Sequence, residues 1–218
     1  MNKLTLIGLG MAMMLPAYGN ALQITHDEST GMVTVTENDD LNPLLTYISA
    51  NCFDQNLTIL FANKEEIGIQ ALSEEKTEIL CSSVTTLVMS FGSAKNDLTV
   101  DLQPVSLEDF SALKLTITKT GRGNDTIFGT PIKDIAYSYS GKDNFQGGKG
   151  NDEFYGGFGN DEAVGGPGND ILNGGPGNDH LRDGVGSDTI TGGVGKDRLI
   201  GKSKRTKFRA DSYDTVVK

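Results

Sequence analysis

The sequence predicts an all-β protein whose C-terminal part is a solenoid, on three observations: a short repeat, a fixed carboxylate and a fixed apolar position. From Thr120 to Ile200 the chain repeats every nine residues, with Asp in the sixth place of each repeat. A fixed period this short indicates a solenoid in which each repeat stacks on the next. The clearest run begins at Gly147 and reads GGKGNDEFY, GGFGNDEAV, GGPGNDILN, GGPGNDHLR, DGVGSDTIT and GGVGKDRLI.

Each place in the repeat predicts a piece of local structure. Glycine in the first, second and fourth places predicts a tight turn with positive φ and inward carbonyl groups. One inward apolar side chain between two outward ones predicts a three-residue strand, so turn and strand together make half a coil. The eighth place supplies that apolar side chain throughout, as Ile127, Ala136, Phe145, Phe154, Ala163, Leu172, Leu181, Ile190 and Leu199.

The recurring carboxylates predict bound calcium. They lie beside the turn carbonyls with no Cys or His among them, and such hard oxygen ligands suit Ca²⁺. Aligned carboxylates repel one another, so cation binding and folding are predicted to be one event. The sixth-place residues are Asp125, Asp134, Asp143, Asp152, Asp161, Asp170, Asp179, Asp188 and Asp197.

This pattern resembles the repeats-in-toxin (RTX) family, or haemolysin-type calcium-binding repeats, with consensus GGxGxDxUx where U is apolar. The resemblance implies a right-handed parallel β-roll with calcium between successive loops on one side, hence between Asp residues two repeats apart. A first ladder would then hold Asp125, Asp143, Asp161, Asp179 and Asp197, and a second ladder Asp134, Asp152, Asp170 and Asp188. About five sites follow the consensus well, at the pairs 143/161, 161/179, 179/197, 152/170 and 170/188.

Backbone carbonyls of the second-place and fourth-place glycines are expected to complete these sites. The repeat GTPIKDIAY departs from the pattern, because Pro131 and Ile132 occupy the third and fourth places, so Asp134 is not counted as a ligand. The expected glycine ligands are Gly148, Gly150, Gly157, Gly159, Gly166, Gly168, Gly175, Gly177, Gly184, Gly186, Gly193 and Gly195.

The N-terminus predicts an export signal over residues 1–19. Lys3 precedes an apolar run from Leu4 to Leu15, and small residues follow, with cleavage after Gly19 or Ala21. The run is too short for a comfortable transmembrane helix, which needs roughly 20 residues. The chain is therefore predicted to be secreted or periplasmic, with no transmembrane segment.

Residues 22–119 are predicted to form a β-rich N-terminal region of two possible architectures. Short β-prone runs about ten residues apart fit either a solenoid continuation without calcium loops or a small β-sandwich. A short helix at 38–49 is expected to cover the exposed end, and export predicts a disulfide between Cys52 and Cys81. The runs are 32–36, 57–61, 66–69, 78–80, 87–89, 98–102 and 113–117.

The predicted calcium-binding roll covers residues 120–201, and a basic cap or tail covers 202–218. That basic segment could also contact an anionic polymer or lipid head groups. The net charge of −10 argues against a nucleic-acid partner.

The chain has no zinc-protease, serine-hydrolase or CxxC motif. It is therefore predicted to be a non-enzymatic, exported calcium-binding protein, an adhesion, matrix or envelope component with envelope or extracellular polysaccharide as a partner. The alternative is an accessory or remnant module of a secreted hydrolase or polysaccharide-modifying enzyme, since the RTX resemblance extends to such enzymes.

Overall fold

A computed structural model describes residues 13–14, 22–37, 45–63, 73–94 and 97–218. The predicted signal at 1–19 lies outside the described residues except for Met13–Met14, and the β-prone run at 66–69 lies outside them entirely. Within the described part of the chain, no helix has the length and apolar character needed to cross a bilayer.

The described residues form two ten-stranded sheets, so the protein is all-β as predicted. The first sheet contains, in spatial order, β1 (Met13–Met14), β2 (Leu22–Asp27), β3 (Met32–Glu37), β7 (Thr86–Ala94), β9 (Leu115–Arg122), β11 (Lys133–Ser140), β13 (Glu153–Tyr155), β15 (Ile171–Pro176), β17 (Thr189–Val194) and β19 (Lys207–Arg209). The second contains β20 (Thr215–Val217), β18 (Arg198–Ile200), β16 (His180–Val185), β14 (Glu162–Pro167), β12 (Asn144–Gln146), β10 (Thr126–Phe128), β8 (Thr99–Asp101), β4 (Leu45–Phe53), β5 (Asn56–Asn63) and β6 (Ser73–Leu80).

Successive repeats alternate between the two sheets, which confirms the parallel solenoid. Phe154 in β13 pairs with Leu172 in β15, and Leu172 pairs with Ile190 in β17, always in parallel register. The eighth-place side chains point between the sheets and are almost fully buried. They form one narrow apolar column in which Phe145 and Phe154 stack at 5.2 Å between ring centroids.

The N-terminal region continues both sheets of the roll without a break. In the first sheet β9 pairs in parallel with β7, and β7 with β3; in the second, β10 pairs in parallel with β8, and β8 with β4. Antiparallel pairing of β2 with β3, and of β4, β5 and β6, closes this end. Of the two architectures open from sequence, the structure therefore has the solenoid continuation.

The predicted helix at 38–49 is wrong where it can be checked, because residues 45–49 lie in strand β4. Residues 38–44 lie outside the described part of the chain. Strand β4 places Ile48 and Ala50 in the larger N-terminal core, and it pairs with β8 on one side and β5 on the other.

The predicted disulfide between Cys52 and Cys81 is present, with 6.1 Å between the two Cα atoms. Cys52 lies in β4, and Cys81 begins a short 3₁₀ helix, Cys81–Ser83, directly after β6. The bond therefore joins the two strands that flank β5. It fastens the antiparallel end of the second sheet.

Residues 202–218 add two more half-turns to the roll. Strand β19 pairs in parallel with β17, and β20 pairs in parallel with β18. Phe208 occupies the apolar place of the first of these half-turns and packs against the end of the apolar column. The basic segment thus lies on the terminal rung of the solenoid.

Candidate metal centre

The sixth-place aspartates are held in two ladders by identical backbone contacts. In the first ladder, the backbone N–H of Asp143 donates to Oδ1 of Asp161 at 2.9 Å, and that of Asp161 donates to Oδ1 of Asp179 at 2.8 Å. The same contact joins 125 to 143, 179 to 197, 134 to 152, 152 to 170 and 170 to 188. All five well-supported pairs are therefore brought together in the structure.

The second oxygen of these carboxylates has no hydrogen-bond partner. Oδ2 is buried and unpaired in eight of the nine repeat aspartates, and each of these residues is at most 2 % exposed. A buried carboxylate oxygen without a donor is strongly unfavourable, so each such oxygen indicates a missing cation or proton. The eight residues are Asp125, Asp143, Asp152, Asp161, Asp170, Asp179, Asp188 and Asp197.

Second-place and fourth-place glycines shape the backbone beside these oxygens. Gly166 has φ of 113° and Gly168 has φ of 157°, values that other residues rarely adopt. A Cβ on Gly166 would overlap the carbonyl oxygen of Gly148, and a Cβ on Gly168 would overlap that of Gly150. Carbonyl groups of one loop therefore face the next loop on the same side.

First-place glycines do not follow the prediction of positive φ. Among the described residues, Gly147, Gly156 and Gly165 do not have positive φ. Their glycine is required for space instead, because a Cβ at Gly165 would overlap Oδ2 of Asp170 and lie 2.7 Å from the carbonyl oxygen of Asp183. The unpaired carboxylate oxygen therefore occupies the space that a side chain at the first place would fill.

Burial makes the ladder carboxylates weak acids in the absence of a cation. Desolvation raises the pKa of Asp152 from 3.8 to about 8, with a further rise from the charges of Asp134 and Asp170. Desolvation likewise raises the pKa of Asp143 and of Asp179 to about 7. These groups therefore bind protons more readily than an exposed aspartate does when no metal ion is bound.

Asp134 is the exception among the nine repeats. Its carboxylate accepts the backbone N–H of Thr130 at 2.7 Å and the hydroxyl groups of Thr130 and Thr116. Both carboxylate oxygens of Asp134 therefore have hydrogen-bond donors within the protein. The omission of Asp134 from the expected ligands stays a prediction.

Two features of the ladders were missed from sequence. The fifth-place Asn side chains form their own ladder, in which Oδ1 of Asn160 accepts the N–H of Asn178 and Oδ1 of Asn178 accepts the N–H of Lys196, both at 2.8 Å. Asp214 extends the first ladder, since its Oδ1 accepts the N–H of Asp197 at 3.1 Å across 17 residues. The last repeat is one residue shorter than the others, so Asp214 does not fall on the nine-residue spacing.

The residues present fit calcium, which would be held by paired aspartates and backbone carbonyl groups. No cluster of three or more His, Cys, Asp or Glu side chains is found in the described part of the chain. A site here must therefore combine carboxylates with carbonyl oxygens, and this all-oxygen donor set suits Ca²⁺ better than softer metals.

Fold and site together define the C-terminal part as a parallel β-roll whose loops bring aspartates together in pairs. Residues 119–131, 137–172 and 173–203 match the family model of the RTX calcium-binding nonapeptide repeat, which comprises four copies. The chain thus carries RTX repeats, a class that binds calcium and is typical of extracellular proteins. The unmatched residues 132–136 contain Asp134. No curated protein matches the chain.

Proposed function

We propose that this protein is an exported calcium-binding protein whose roll folds and stiffens on binding several calcium ions. The observation that carries the proposal is the set of eight buried, unpaired Oδ2 atoms facing glycine-rich backbone. Calcium would supply the positive charge that these oxygens lack, and its binding free energy would then be part of the folding free energy.

The proposed ligands are the aspartates of the five pairs together with the carbonyl groups of the second-place and fourth-place glycines. The protein is proposed to act as an adhesion, matrix or envelope component rather than as an enzyme. Two observations support a structural role: the described surface is built from regular rungs, and both sheets run continuously from the disulfide-bonded end into the calcium roll.

The test is a calcium titration of the full chain followed by circular dichroism and thermal melting. The β-signal and the melting temperature are expected to rise together between EDTA and millimolar calcium. Identical spectra and melting curves in the two conditions would show that calcium and folding are not coupled.

The ligand assignment is tested with a matched pair of substitutions. Asp161→Asn and Asp179→Asn remove charge inside the first ladder, whereas Glu162→Gln removes the same charge from an exposed side chain one residue away. Calcium affinity is expected to fall in the Asp variants and to stay unchanged in the Glu variant. Equal losses would mean that surface charge, not the ladder, attracts calcium.

A further inference from the structure

Much of the acidity of this chain is buried. Ten aspartates of the described residues are buried, namely the nine repeat aspartates and Asp183. The chain has 29 Asp and Glu in all, so the remaining carboxylates equal its 19 Lys and Arg in number. The net charge of −10 therefore does not describe what a partner molecule would meet.

The surface becomes cationic in the last rungs of the roll. Between Arg182 and Arg209 the sequence has eight Lys and Arg side chains, all exposed. The three carboxylates of the same stretch, Asp183, Asp188 and Asp197, are at most 2 % exposed. None of the ion pairs in the described part of the chain involves these eight side chains.

Five of these cations lie together along one edge, which we call the basic edge. Arg182 lies within β16 with an exposed side chain, and it pairs in register with Ile200 on the next rung, where the loop to β19 begins. That loop and the start of β19 bring the remaining members of the group to the same edge. The basic edge consists of Arg182, Lys202, Lys204, Arg205 and Lys207.

The buried carboxylate of Asp183 fixes the position of the loop between β18 and β19. Its carboxylate accepts the backbone N–H of Lys202 at 3.0 Å and the hydroxyl of Thr206, and it is 0 % exposed. Asp183 occupies a first place, where the other consensus repeats have glycine. Because its oxygens are engaged with the loop's own backbone and Thr206, the lysine and arginine heads remain in solvent.

The opposite edge of the same terminal rung has a different character. Its loop contains Asp211 and Asp214, which accept backbone N–H groups locally and bring negative charge to that edge. Negative charge therefore lies at this edge of the terminal rung, whereas five of the eight cations lie at the other.

We infer that the basic edge binds a linear acidic polysaccharide. Its cations wrap from the face of the second sheet, around the loop, to the face of the first, and a flexible polyanion can follow such a convex edge. A flat membrane would meet only part of it. Single-stranded nucleic acid is held largely by stacking on exposed aromatic rings, whereas Phe208 beside this loop faces the apolar column.

This inference rests on the proposed calcium-coupled folding, because the basic edge exists only when the terminal rungs are folded. Four of the five cations, Lys202, Lys204, Arg205 and Lys207, lie in one loop and at the start of the strand that follows it, so they are close together along the chain. Carboxylate or sulfate groups repeated along a sugar chain can pair with such a row, and the attraction weakens as salt screens it.

The experiment measures binding of the full chain to immobilised hyaluronan, a linear polysaccharide with one carboxylate in each disaccharide, in saturating calcium. The test variant combines Lys202→Glu, Lys204→Glu, Arg205→Glu and Lys207→Glu. The control combines Lys114→Glu, Arg122→Glu, Lys142→Glu and Lys149→Glu, which changes net charge equally at exposed positions on earlier rungs. Melting curves with and without calcium are recorded for each protein, so a failure of calcium-coupled folding is seen separately.

The test variant is expected to bind at least about tenfold more weakly, with little change in the control, and added sodium chloride should weaken the wild type steeply. A version with Gln in place of Glu at the same four positions serves if charge reversal lowers the melting temperature. Equal losses in test and control variants, or no binding by a folded wild type, would overturn the inference. Tighter binding to phosphatidylglycerol vesicles or to single-stranded DNA than to hyaluronan would also overturn it.

Discussion

At the scale of single residues, Asp134 and Asp152 occupy neighbouring rungs of the second ladder but have different partners. Threonine hydroxyls and a backbone N–H satisfy Asp134, whereas Oδ2 of Asp152 is unpaired. We expect Asp134→Asn to cost about 1–3 kcal/mol of stability through its lost hydrogen bonds, with no loss of bound calcium.

Asp152→Asn is the matched change and should lower the calcium stoichiometry by at least one ion. Isothermal titration calorimetry of both variants gives the number of sites, and denaturant unfolding in calcium gives the stability. A loss of calcium in the Asp134 variant would contradict the metal-free assignment of that rung.

Gly165 provides a second test at this scale, because it is needed for space rather than for backbone conformation. Gly165→Ala places a methyl group where Oδ2 of Asp170 lies. The carboxylate must move, so we expect calcium affinity to fall by about tenfold or more, equivalent to roughly 1.4 kcal/mol.

The control for Gly165→Ala is Pro167→Ala, at an exposed third place of the same loop. Calcium titration monitored by circular dichroism should separate the two proteins clearly. Similar midpoints would show that the first place tolerates a side chain.

Residue patterns predicted the alignment of the aspartates better than they predicted the structural reason for each glycine. Spacing alone identified the nine aspartates, because carboxylates fixed in one place of a short repeat must align. It did not distinguish a glycine needed for positive φ, such as Gly166, from one needed for space, such as Gly165. Asp214 escaped because a one-residue deletion shifts the register, although its position two residues before Val216 preserves the local motif.

At the scale of elements, the protein has two cores of different strength. The N-terminal strands share a broad cluster that includes Phe91 and Phe110, whereas the roll has a single apolar column with one residue from each half-turn. Apolar burial contributes about 25 cal/mol per Å², so the N-terminal elements are the better able to stay folded without calcium.

Hydrogen exchange measured by mass spectrometry should reveal this difference. In EDTA we expect amides of β3 and β7 to remain protected and those of β14 to β17 to exchange at least about tenfold faster than in calcium. Uniform loss of protection across both regions in EDTA would mean that the two cores fold as one unit.

Strand positions in the N-terminal region were predictable, but their architecture was not. Runs such as 32–36 and 57–61 fall within β3 and β5, because alternating apolar residues indicate strands in either a solenoid or a sandwich. Pairing across distant segments, such as β8 with β10, decides between these folds and leaves no local signal. The helix expected at 38–49 was wrong for the same reason, because residues 45–49 belong to β4 and pair with the distant strand β8.

At the scale of the whole molecule, the buried carboxylates link stability to pH in opposite directions with and without calcium. Desolvation raises the pKa of Asp143, Asp152 and Asp179 above the ordinary value of 3.8, to about 7 or 8. Groups with raised pKa stabilise the fold below pH 4, and this stability is lost as the pH rises through the folded values.

The calcium-free roll is therefore expected to become less stable from pH 4 to pH 8. Calcium must displace protons from these groups, so its affinity should rise over the same range, by at least about tenfold between pH 5.5 and pH 8. Melting temperatures in EDTA and calcium midpoints across this range provide the measurement. A calcium midpoint independent of pH would contradict the raised pKa values.

The continuous sheets also have a mechanical consequence. Backbone hydrogen bonds of a solenoid run along its axis, so tension applied at the two ends pulls directly on the contacts between rungs. Each rung would then detach singly and release 18 residues, the separation of paired residues, or roughly 60 Å of extended chain. Calcium between loops would act as a row of cross-links against this tension, and the Cys52–Cys81 bond would hold the far end shut. The force at which the chain yields is thereby set by the calcium concentration around it.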